Sequence, residues 1–182
     1  MYGENGRVIV HFLHSRRPKK LCLTNYQLSA IIEAWKGSVI MNQIQAIRYF
    51  ASIALGTPVT IARKRDCWSM GLLGSYPRLY LPEDLNENDE EDKMFRKNFI
   101  SRYPTAQGFA NITLAILHEL GHWVTRNSVN WLEYAILASQ VSSEEYFDLE
   151  AERIATDWAI EWLSQSQNRK LAKSFEVQYF GH

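Results

Sequence analysis

The sequence predicts an α+β fold in which a small antiparallel or mixed sheet packs on a central apolar helix, followed by a C-terminal helix bearing an inward-facing carboxylate. Three observations carry this expectation. Three short β-prone runs lie between residues 59 and 81, separated by Gly71, Gly74 and Pro77. Phe109, Ile112, Leu114, Ala115, Ile116, Leu117, Leu120, Trp123 and Val124 leave a helix there apolar on most sides, as a buried central element is. Ala151, Ala155, Trp158, Ala159, Trp162 and Leu163 recur at helical spacing within 143–165.

Taken in order, Arg7 to Leu13 is β-branched and aromatic enough to form a strand. Leu28, Ile31, Ile32 and Trp35 mark a helix over 25–36, with Thr24 as N-cap and Gly37 as terminator. A second helix, about 39–55, carries Ile40, Ile44, Ile47 and Ala51 and stops at Gly56, with Pro58 beyond. Val59–Arg63, Trp68–Leu73 and Arg78–Leu81 are the three strands, expected to form a small antiparallel sheet. A short helix is expected over 93–103, and Pro104-Thr105 opens the central helix. The last long helix spans 143–165.

Composition narrows the function. A length of 182 residues with 46% hydrophobic and 13% aromatic side chains fits one globular domain. Twenty basic and twenty acidic residues cancel, so bulk charge draws the chain neither to nucleic acid nor to an anionic membrane. The two N-terminal helices lack the basic face and turn signature of a helix-turn-helix reader. The basic run at 16–20 and the acidic run at 83–92 read as solvated loops. Cys22 and Cys67 belong to no C-x-x-C pair and read as free thiols. With neither a secretory signal nor an apolar run of membrane-spanning length, the expected location is the cytoplasm.

His118, Glu119 and His122 form an H-E-x-x-H motif within the central helix. At about 100° per residue, positions four apart share a face, so both imidazoles reach one cation. Glu119 projects beside them, where a carboxylate takes the proton of a metal-bound water in zinc peptidases. A catalytic zinc takes three protein ligands, and the C-terminal helix offers the third. With Ala155 at zero, Glu152 falls at roughly 60° and Asp148 at roughly 20°, whereas Glu150 falls at roughly 220° beside Asp157 and Glu161. Helical phase therefore selects Glu152 over Glu150. An otherwise apolar face cannot bury a carboxylate without a partner, and an ion held by two histidines is one. Asp148, one turn earlier, is a candidate to orient a ligating histidine, or simply a carboxylate at a helix N-terminus.

The H-E-L-G-H segment, followed by Glu152-Arg153-Ile154-Ala155-Thr156-Asp157-Trp158-Ala159, resembles the ImmA/IrrE family of small gluzincin metallopeptidases. The resemblance covers mainly residues 70–163. It places Glu152 on the first glutamate of a family pattern similar to E-x-E-A-N/D-x-F-A, the metal-ligand position. Ile154 and Thr156 depart from that pattern. The resemblance implies a single zincin-like domain, 1–182, with an N-terminal helical part about 1–57 and a catalytic core about 58–165. It further implies a Zn2+-dependent peptidase acting on a protein or peptide substrate, such as a regulatory protein.

In this reading His118, His122 and Glu152 hold the metal and Glu119 is the general base. Tyr134, Tyr146, Tyr179 and His182 are candidate transition-state donors, each with a structural role as the plainer alternative. His11 and His14 have no ligand-spaced partner. A strand near Leu79 is the expected edge for an extended substrate. The rival readings are a regulatory or binding protein on the same scaffold with weak chemistry, and a metal-dependent hydrolase of a non-peptide amide.

Overall fold

The structure is a computed structural model and describes residues 42–63, 68–83, 85 and 90–181. The expected strand at 7–13, the helix at 25–36, the start of the next helix, both cysteines, the basic run, half of the acidic run, His11, His14 and His182 lie outside the described residues.

Among these residues the chain is an α+β fold, mostly helical, with a small mixed three-stranded sheet. Helix α1 spans Gln43–Leu55 and is closed at both ends by its own sequence. Asn42 and Gln45 form a capping box, and Gly56 takes the left-handed conformation at φ 68° that ends the helix. Strands β1 (Thr60–Arg63), β2 (Ser69–Gly71) and β3 (Arg78–Leu81) follow.

The sheet order is β1-β3-β2, with β1 parallel and β2 antiparallel to β3. Of the two arrangements expected, antiparallel or mixed, the sheet is the mixed one. It also displaces the expected substrate edge: Leu79 sits in the central strand, opposite Ile61 on one side and Met70 on the other. Its backbone is committed to the ladder, and among the described residues the outer strands of the sheet are β1 and β2.

Helix α2 is Glu90–Arg102, and Pro104–Ala106 forms a separate 3-10 turn. The central helix α3 therefore starts at Asn111 and not at Pro104. Its N-cap is Ala110, which has no side chain to cap with. A distant residue supplies the cap: the Glu176 carboxylate accepts the Ala110 amide at 2.6 Å and the Thr113 hydroxyl at 2.8 Å. All residues of α3 from Asn111 to Trp123 are buried.

Beyond α3 come α4 (Trp131–Ala138), the single turn α5 (Ser143–Tyr146), α6 (Glu150–Ser164) and α7 (Ser166–Phe180). The single helix expected over 143–165 is thus two. Phe147 ends the first and Leu149 precedes the second, so helical phase does not carry through Asp148. Helix α7 was not anticipated, although Leu171, Ala172, Phe175 and Tyr179 recur at helical spacing and are buried. Phe175 stacks on Phe50 of α1 at 4.4 Å, and Trp162 meets the Phe50 ring edge-on at 5.8 Å. One apolar core therefore runs from Ala46 to Tyr179, with α3 through its middle.

Candidate metal centre

Helices α3 and α6 build the centre between them. His118 and His122, one turn apart on α3, place their rings 4.8 Å apart, nearly perpendicular. Glu152 rises from the first turn of α6 and is 2% exposed. Its Oε2 lies 2.8 Å from His118 Nε2 and its Oε1 lies 3.4 Å from His122 Nε2. Glu150, two residues earlier, is exposed. Gly121, between the histidines, lets the backbones of α3 and α6 approach closely enough for these contacts.

Glu119 is buried beside the histidines. The ligand atoms of His118, Glu119 and His122 lie within 4.8 Å of one another, a buried group that could hold a metal ion. Two carboxylates thus flank the imidazoles, and their environments separate them. Burial pushes the Glu119 carboxyl above its usual value, against the pull of both histidines and a backbone hydrogen bond from Met70. Burial acts in the same direction on Glu152, but hydrogen bonds and charge from His118 and His122 outweigh it and hold that carboxyl well below its usual value. His122 is raised: burial opposes its charge, but Glu152 and Glu119 favour it more strongly.

No family model, curated protein or solved structure matches this chain. The assignment of the centre rests on its own atoms.

The donor set fits a cation. Thr156 gives its single hydroxyl hydrogen to the Glu152 backbone carbonyl at 2.8 Å. It must therefore accept from His118 Nδ1, 3.0 Å away, which fixes Nδ1–H as that bond's donor. His118 is left with Nε2 toward Glu152 Oε2. A neutral imidazole presents a lone pair there, and lone pair against carboxylate is repulsive. The contact becomes attractive with a positive centre between the two, either a proton or a metal ion. Donors around a tetrahedral ion with bonds of ~2.0–2.1 Å are ~3.3 Å apart. The contact of His118 Nε2 with Glu152 Oε2, at 2.8 Å, needs to open by only ~0.5 Å to reach that spacing.

Thr156 is thus the partner of His118, on the same α6 face one turn beyond Glu152. The sequence showed it only as a departure from a pattern. Asp148, the sequence's candidate for such a role, is exposed in the α5–α6 turn and paired with Arg102. The break in helical phase removes it from the ligand face, so its proposed orienting role is withdrawn. His122 Nδ1 is buried and has no hydrogen-bond partner.

Of the three candidate donors among the described residues, Tyr134 and Tyr146 reach the centre. The Tyr134 hydroxyl donates to Glu152 Oε1 at 2.6 Å, and the Tyr146 hydroxyl lies 2.5 Å from that of Tyr134. Burial, then the Glu152 charge, push both phenols far up, so they remain neutral. Trp131, from the same helix as Tyr134, meets the His122 ring edge-on at 5.9 Å. Tyr179 packs on Phe175 in the core.

Proposed function

We propose that this chain is a zinc-dependent metalloendopeptidase of the gluzincin type, zincin-like in architecture and similar to the ImmA/IrrE family, hydrolysing a peptide bond in a protein substrate. A regulatory protein is the substrate class the resemblance suggests. The observation that carries the proposal is the meeting of Glu152 with both imidazoles of the H-E-x-x-H helix. His118, His122 and Glu152 are the ligands in this reading. Glu119 is set apart from the other carboxylate, Glu152, by its Met70 backbone hydrogen bond and by a pKa that is raised where that of Glu152 is lowered.

A divalent ion bound there would supply Lewis acidity and bring the pKa of a coordinated water toward neutrality. Glu119 is suited to hold the proton released, because a carboxyl raised by burial is a stronger base than an exposed one. The same carboxyl would then pass that proton on to the leaving amine. Met70 lies on β2, which has no strand on its outer side among the described residues. An extended peptide hydrogen-bonded along that edge would lie beside Glu119, which favours peptide over other amide substrates.

Among the described residues no helix is long and apolar enough to cross a membrane. The experiment compares bound zinc and cleavage of protein substrates by the parent, Glu152→Ala and Glu119→Gln. Glu152→Ala should lose zinc, whereas Glu119→Gln should keep it and lose cleavage. Full zinc retention by Glu152→Ala removes the third ligand. Undiminished cleavage by Glu119→Gln removes the base.

A further inference from the structure

The hydroxyls of Tyr146 and Tyr134 form a chain that ends on the Glu152 carboxylate. Its direction follows from counting hydrogens. A phenol has one, and that of Tyr134 goes to Glu152 Oε1. In the 2.5 Å contact between the phenols Tyr134 can therefore only accept, and Tyr146 donates. The two tyrosines come from separate elements, α4 and α5, that lie between the histidine helix and the glutamate helix in sequence. Neither short helix contributes a fully buried residue, so apolar packing does not account for where the phenols sit. The ring contacts do: Trp131 meets Tyr134 edge-on at 5.4 Å, Tyr134 meets Tyr146 at 6.3 Å, and Tyr146 meets Phe147 at 5.6 Å.

We propose that Tyr134, steered by Tyr146, is the positioning residue of Glu152: its phenol occupies Oε1 and so presents Oε2 as the metal donor beside His118. Glu152 has rotatable bonds that would otherwise let its carboxylate turn, and the cost of fixing them falls on metal affinity. The three ligands are then supported unequally. Thr156 fixes His118, the two phenols fix Glu152, and His122 has no partner at Nδ1.

This inference rests on the reading of Glu152 as a ligand, and the test separates the two. Zinc affinity is measured on the folded protein by competition with a chromogenic chelator, alongside the melting temperature without metal. The variants are Tyr134→Phe, Tyr146→Phe, the double variant and Glu152→Ala. Tyr134→Phe should bind zinc about 10- to 100-fold more weakly, with little change in metal-free melting, because ring packing is kept. Tyr146→Phe should weaken binding less. The double variant should lose less than the sum of the two single losses, since the two phenols share one hydrogen-bonded chain onto the carboxylate.

Unchanged affinity in Tyr134→Phe overturns the proposal, as does a double variant in which the two losses simply add. Where Glu152→Ala loses zinc and Tyr134→Phe does not, the positioning role alone fails. Where Glu152→Ala keeps it, the ligand reading fails as well. If Tyr134→Phe does not fold, Tyr146→Phe decides: unchanged affinity overturns the relay, and weakened affinity with unchanged metal-free melting supports it.

Discussion

Gly121 of the histidine helix lies against the backbone of Ala155 on the glutamate helix. A Cβ added at Gly121 would stand 2.3 Å from the Ala155 carbonyl oxygen and 2.8 Å from its Cα. The obstacle is backbone, which cannot rotate aside as a flexible side chain does. Gly121 is therefore what permits the two helix backbones to lie in contact.

Gly121→Ala should be destabilising despite alanine's better helix propensity. Propensity favours the change by about 1 kcal/mol, whereas overpacking a rigid contact costs about 1–3 kcal/mol. The clash should win because the helices must separate. That separation moves Glu152 away from the histidines, so zinc affinity should fall together with stability. Thermal melts with and without zinc check this, and a variant that melts higher and binds zinc unchanged refutes it.

Glu176 holds the start of the histidine helix from α7, through the Ala110 amide and the Thr113 hydroxyl. Glu176→Ala leaves both donors without this partner and should cost about 1–3 kcal/mol in denaturant unfolding. Glu176→Gln retains an acceptor oxygen and should lose less. Equal losses would point to the charge, and its bond with Lys173, in place of the cap.

Thr156→Val keeps the shape of the side chain and removes the acceptor for His118 Nδ1–H. Zinc affinity should drop about 10- to 100-fold, as with other partners of ligating histidines. Isothermal competition measures it, and an affinity equal to the parent's would show that His118 is held by other contacts, such as the Phe95 ring.

The metal-free protein should lose stability on the alkaline side. His122 has a folded pKa above its ordinary 6.5, so its contribution is full below that pH and declines as pH rises through the raised value. Buried Glu119 acts in the same sense: its raised folded pKa gives a contribution that is full below 4.5 and lost on further rise. Glu152 has a lowered pKa, so its contribution is full above 4.5 and is lost only as acid carries the pH down through the lower folded value. Melting temperature without metal should therefore fall as the pH rises above 6.5, and saturating zinc should reverse the trend by taking over from protons. A flat metal-free profile would contradict the assignment.

Local sequence carried much of this protein. Spacing alone put His118, Glu119 and His122 on one helix, and helical phase brought Glu152 to the same face as Ala151, Ala155 and Ala159, all now buried. The end of α1 was legible because Gly56 acts within a turn of where it stands, whereas the start, expected at about 39, lies at the Asn42–Gln45 capping box. The strands were legible from β-prone runs between breakers, but not their pairing, since parallel or antiparallel partnership is settled between segments far apart.

Where inference ran on through a break, it failed. Phase carried Asp148 onto the ligand face, yet the chain turns at 147–149 and gives Asp148 to Arg102. Thr156 for His118, Tyr134 for Glu152, Glu176 for the start of α3 and Ala155 against Gly121 are all pairings between distant elements. Residue types and local periodicity determine which groups can bind a cation. Only the packing of α3, α4, α6 and α7 decides which buried donors and acceptors meet, because each must find its partner in space and not along the chain.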